Sequence, residues 1–141
     1  MNYSRLGLAA LGGVVAYFAF GALLFVLLPQ LINEARKHPA LFRPEEQMKT
    51  FMPVGMVGTI IAVLIAAVLY TMTYQSGFGA ASGARFGILM GLFVVCGFVL
   101  HNYANFNISL KLTIGQAVAY FLQWTVVGTV IGLIYKPATM P

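Results

Sequence analysis

Charge is the scarcest commodity in this chain. Of 141 residues only 8% are charged, eight Lys and Arg against three acids, where soluble domains carry about 25%. So few charges cannot coat a globule in water, and lipid is therefore expected to be the solvent for most of the surface. The acids are rarer still. Glu34, Glu45 and Glu46 all fall in one polar segment, so no carboxylate stands inside a long apolar run. A proton-coupled carrier needs a buried carboxylate or histidine in its path, and coupled transport is disfavoured on that ground. The single cysteine, Cys96, excludes an internal disulfide and leaves the redox compartment unreadable. Lying in the apolar run from Leu92 to Leu100, it is expected to be a small buried apolar residue and not a reactive thiol. There is no P-loop, no Ser/His/Asp or Cys/His constellation, and no Cys/His spacing suited to zinc. The expectation is a protein that is not an enzyme, with no metal and no cofactor.

What the chain has in abundance is apolar side chains, 60% of the total. They fall in four long runs. A helical span needs about 20 apolar residues at about 1.5 Å each, and spans are expected at about 6–28, 52–74, 84–106 and 112–135, with a polar loop at 29–51. The fold class expected is all-α: a polytopic membrane protein of one domain, its four transmembrane helices in a compact bundle. No run alternates in the manner of a membrane barrel. The first run, Leu6 to Leu28, is much longer than the apolar core of a signal peptide and is expected to be retained. The third is the short one. From Phe86 to Leu100 it reaches bilayer length only by taking in His101, Asn102 and Asn105.

The net charge of +5 does not point to nucleic acid. Arg5, Arg36, Lys37, Arg43, Lys49, Arg85, Lys111 and Lys136 flank the apolar runs and form no stripe, the pattern of residues at headgroup level. With four crossings, five of these fall on the side of loops one and three (Arg36, Lys37, Arg43, Lys49, Lys111) and three on the side of the termini. The excess leans toward cytoplasmic loops one and three, by a margin that leaves orientation open.

The first loop carries Pro44-Glu-Glu46, the pattern of a helix start, with carboxylates at the positive end of the dipole. Glu45 and Lys49, four apart, can pair on one helix face. Pro53 either opens the second span or kinks a longer helix that begins at Pro44. Two readings of the loop compete: an interfacial connector with solvated charges, or a docking surface for a partner protein.

Polar residues near or inside the spans are the remaining candidates for chemistry. His101 could ligate a pigment or haem; the plainer reading is an interfacial histidine bonded to water or backbone. Asn102 and Asn105 are three apart and share a helical face, where they either line a small polar pocket with Tyr103 or cap helix ends. Gln116, Tyr120 and Gln123 recur at helical spacing on the fourth span, either as glue between helices or as the lining of a solute path. Thr113-Ile-Gly-Gln116 also fits a capping box, which places Tyr120 and Trp124 near an interfacial aromatic belt.

Glycine gives the clearest pattern. Gly83, Gly87 and Gly91 repeat every fourth residue, as do Gly128 and Gly132, and Ala9, Gly13 and Ala16 add small residues to the first span. Small residues at this spacing let backbones approach closely in lipid, either within the bundle or against another subunit.

On Phe42-Arg-Pro-Glu-Glu46, His101-Asn-Tyr-Ala-Asn105 and Leu133-Ile-Tyr-Lys-Pro137, the chain resembles small four-helix bacterial integral membrane proteins over most of its length. The resemblance implies a bacterial inner (cytoplasmic) membrane and brings no activity or site residue with it. The function expected from all of this is a non-catalytic membrane subunit that packs against helices of a larger complex of respiratory or photosynthetic type. The alternative is a small homo-oligomeric channel or facilitator lined by Asn102, Asn105, Gln116, Tyr120 and Gln123. Its expected partners are lipid and other membrane subunits.

Overall fold

A computed structural model describes residues 2–73 and 79–135. Among them there is no strand, and four helices are long and apolar enough to cross a membrane. The fold is an all-α membrane bundle, as the composition requires.

Helix α1 (Tyr3–Leu27) opens on Asn2, whose side chain accepts from the Arg5 amide at 3.2 Å. It stops one residue short of Pro29. That proline starts a separate short helix, α2 (Pro29–Ala35), inside the segment expected to be loop. Helix α3 (Glu45–Thr73) begins directly after Pro44, with Glu45 and Glu46 in its first turn. Pro53 therefore lies inside a helix two turns old and does not start the span. Its ring forfeits one backbone bond near the helix end, where water and headgroups can satisfy the freed carbonyl. Glu45 does not pair with Lys49 either. It reaches across the loop to Arg36 at 3.7 Å, with both side chains exposed, an arrangement of little energetic weight.

Helix α4 (Ala80–Asn105) is continuous and takes in His101, Asn102 and Asn105, as the short third run demanded. It begins a turn earlier than expected, after Gly79 at φ 112°, so the glycine- and serine-rich segment 75–83, expected to be a tight turn, is helical from Ala80 on; its residues 75–78 lie outside the described residues. Over Val95–Leu100 it widens into a π-helix, which redirects the side chains that follow. Cys96 faces outward here and is exposed, against the expectation of burial. In lipid an exposed thiol is simply another small apolar group.

Helix α5 (Leu110–Ile134) is the hub, in contact with each of the other four. Its seam with α4 is made of the glycines. A Cβ on Gly87 would lie 2.5 Å from the Trp124 carbonyl, one on Gly128 2.5 Å from the Gly87 Cα, and one on Gly132 2.6 Å from the Gly83 Cα. A Cβ on Gly83 would meet the Gly128 carbonyl, and one on Gly91 the backbone of Phe121. At Gly83, Gly87, Gly128 and Gly132 a side chain would force the backbones apart, and at Gly91 it would be tight, so these five glycines pack inside the bundle. On the other side of α5, α1 brings Gly13 against Val63 and Ile131, and Ala9 and Ala10 are buried. Trp124 sits in this core, edge-on to Tyr17 with ring centroids 5.9 Å apart. It is not part of an interfacial belt, because α5 starts a turn earlier than the capping-box reading placed it.

Helix α3 joins the bundle only through its second half. Val63, Ala66, Ala67 and Tyr70 are buried, and the Tyr70 hydroxyl lies 3.2 Å from Ser82 Oγ on α4. Every residue from Glu45 to Gly58 is exposed, and a Cβ on Gly55 or Gly58 would touch nothing. Over about 21 Å of its length, α3 leaves the company of the other helices.

Candidate functional site

The charged end of the bundle, where loops one and three meet, holds the only buried acid among the described residues. Glu34 on α2 is 7% exposed. Its Oε2 accepts from Lys37 Nζ at 2.8 Å and its Oε1 from the Ser109 hydroxyl at 2.8 Å. Ser109 is the N-cap of α5 and takes the Leu112 amide on the same oxygen at 3.2 Å. The Lys37 and Ser109 hydrogen bonds hold the Glu34 carboxyl below its ordinary range. One turn back, Leu31 rests where a Cβ on Gly115 would have to be. Helix α2 is thus fixed to the start of α5 by one apolar and one polar contact. The cap belongs to Ser109 and not to Thr113, whose hydroxyl turns back to the Ser109 carbonyl at 3.1 Å. Gln116 is consequently free of any capping role.

Anchoring α2 folds the rest of loop one back over the bundle. The His38 carbonyl accepts the Leu41 and Phe42 amides at 3.0 and 3.2 Å, and this turn lays Leu41 and Phe42 across the ends of α4 and α5. Beneath them is a cleft of about 240 Å³. Phe98, from the π-helical segment, and Phe106 supply further aromatic wall, and Ile108 closes the loop-three side. Phe98 meets the Tyr120 ring edge-on at 5.8 Å. Three polar side chains border the space: Asn102 from α4, and Gln116 and Tyr120 from α5.

The five residues expected to form a polar lining are divided. Asn102, Gln116 and Tyr120 come together at the cleft. Asn105 is exposed and turns back on its own helix, its Nδ2 donating to the His101 carbonyl at 2.8 Å. Gln123 is buried on the other flank of α5, where its Nε2 donates to the Tyr17 carbonyl of α1 at 2.9 Å. His101 and Tyr103 are exposed and do not border the cleft. Among the described residues no group of three His, Cys, Asp or Glu could hold a metal ion.

Leu41, Phe42 and Glu34 escaped sequence reasoning as site residues. Two apolar side chains in a polar loop suggest an anchor at the headgroups, but no local pattern said that they cover the end of α4. Nothing in the spacing joined Glu34 to a serine 75 positions away.

Comparison with known protein families, curated proteins and solved structures finds no match.

Proposed function

We propose that the protein is a non-catalytic subunit of a larger assembly in a bacterial inner membrane, docked there through the first half of α3. One observation carries this reading. The stretch from Glu45 to Gly58 is exposed on every side and holds two glycines whose missing side chains are not required by any neighbour. A glycine inside a helix costs about 1 kcal/mol relative to alanine, and lipid does not call for one. In the α4–α5 seam the same residue type is explained by backbone contact. By the same logic Gly55 and Gly58 suit the close approach of a helix from another subunit. Arg43, stacked over the Phe51 ring at 3.8 Å, and Lys49 stand at the headgroup end of this face and favour a partner with acidic residues at that level.

A homo-oligomeric channel draws less support, because Gln123 and Asn105 are already bonded within the protein and stand away from the cleft. The reading is tested by extraction from native membranes in mild detergent, followed by native electrophoresis. The wild type should migrate with a partner. Gly58→Leu, which fills the open face and disturbs no described contact, should migrate as the 15.2 kDa chain alone. A wild type that runs only as a monomer overturns the reading.

A further inference from the structure

We infer that the cleft beneath Phe42 binds a single planar ring bearing hydrogen-bonding oxygens, of the quinone or hydroxybenzene class. The inference is independent of the docking reading, since α3 does not border the cleft.

Size comes first. At about 240 Å³ the cleft is smaller than the roughly 300–1,000 Å³ pockets that take drug-sized molecules. It has room for one substituted ring and not for a haem or a dinucleotide. Its walls come next. Phe42, Phe98, Phe106 and Tyr120 offer four aromatic surfaces, and rings prefer to meet rings offset or edge-to-face.

The polar groups decide the class. Among the described residues the amides of Asn102 and Gln116 and the hydroxyl of Tyr120 find no hydrogen-bond partner in the protein, whereas Asn105 and Gln123 nearby both do. A polar group shut away from water without a partner is costly. The three groups stand open at the cleft, the one buried side-chain N or O without a partner among the described residues being His38 Nε2, and a lipid tail laid over them would shut all three from water. A ring with carbonyl or hydroxyl oxygens removes that cost, taking N–H and O–H donation from the amides and the phenol, and returning O–H to an amide oxygen in the reduced form. The cleft lies at the level from which such a ligand enters. Gln116 and Tyr120 stand about 9 and 15 Å along α5 from its start, so a polar ring fits below the headgroups while an alkyl tail stays in lipid. The wall from α4 is a π-helical segment, a departure from regular helix that recurs at functional sites.

The protein provides its own reporter. Trp124 is the single tryptophan and lies one turn beyond Tyr120, about 6 Å along the axis, within quenching range of a quinone in the cleft. Full-length protein in dodecyl maltoside is titrated with decyl-benzoquinone at fixed detergent, following Trp124 fluorescence. The expected result is saturable quenching that 1-decanol, with the tail but no ring, does not displace. Asn102→Leu combined with Gln116→Leu should weaken the saturable component at least about tenfold, the factor that corresponds to about 1.4 kcal/mol. Neither residue has a protein partner, so the helical circular dichroism and the emission maximum should be unchanged. Quenching that rises linearly with quinone, or is displaced equally by 1-decanol, overturns the inference using wild-type protein alone. So does a folded double variant that binds as the wild type does.

Discussion

The Ser109 hydroxyl donates to Glu34 Oε1 at 2.8 Å while accepting the Leu112 amide at 3.2 Å. One oxygen therefore closes the N-terminus of α5 and holds the acid that anchors loop one. The carboxylate also faces the positive end of the α5 dipole, so the tether is both a hydrogen bond and a charge placed where the fold favours it.

Removing that acid should release the loop and leave the bundle standing. Glu34→Ala is expected to speed tryptic cleavage at Arg36 and Lys37 several-fold, with little change in helical content. Cleavage at the wild-type rate would mean that Leu31 against Gly115 suffices by itself.

Acid should do the same reversibly. The Glu34 carboxyl is held below its ordinary value of 4.5 by Lys37 and Ser109, so the folded state binds its proton less readily than the unfolded state does. Its contribution is fully present above pH 4.5 and is lost as pH falls through the lowered folded value. Hydrogen exchange of the α2 amides should rise across that acidic window in the wild type and not in Glu34→Gln. A rise at neutral pH, or one shared by the variant, would exclude Glu34 as the cause.

The glycines divide into two classes that substitution separates. Gly87→Ala forces a methyl to within 2.5 Å of the Trp124 carbonyl and is expected to cost about 1–3 kcal/mol through overpacking. Gly58→Ala meets nothing and should gain up to about 1 kcal/mol in helix propensity. Thermal melts of the purified monomer in detergent check both. Equal effects would contradict the division.

Gln123 holds α1 to α5 through its 2.9 Å bond to the Tyr17 carbonyl. Gln123→Leu should lower stability by about 0.6 kcal/mol, the mean for hydrogen bonds between membrane helices. A melt indistinguishable from wild type would show that the bond contributes nothing.

These residues also mark how far the sequence can be read. The spans follow from composition, because lipid leaves the backbone only helices or a closed barrel, and no run alternates as barrel strands do. The Gly83–Gly91 and Gly128–Gly132 rows were legible as packing surfaces, since only close approach explains the spacing; that they pack on each other depended on which helices are neighbours. Pro53 was ambiguous because a proline early in a helix looks the same whether the helix begins there or two turns before. Ser109 and Thr113 both offer a capping hydroxyl, and the Glu34 contact distinguishes them only after α2 has been placed. Asn102 and Asn105 shared an expected face, but the end of α4 turns one to the cleft and the other to its own backbone. Gly55 and Gly58 attracted no notice, because their spacing is three and their meaning lies in having no neighbour.

The most direct measurement places a photoreactive benzoyl-phenylalanine at position 54 on α3, and at position 93 on α4 as a control. Val54 and Phe93 are equally exposed, at 71%, and both are apolar, so lipid alone would treat them alike. After irradiation of native membranes, docking predicts a discrete protein adduct from position 54 and none from position 93. Monomer alone from both positions, or the same adducts from each, would contradict it.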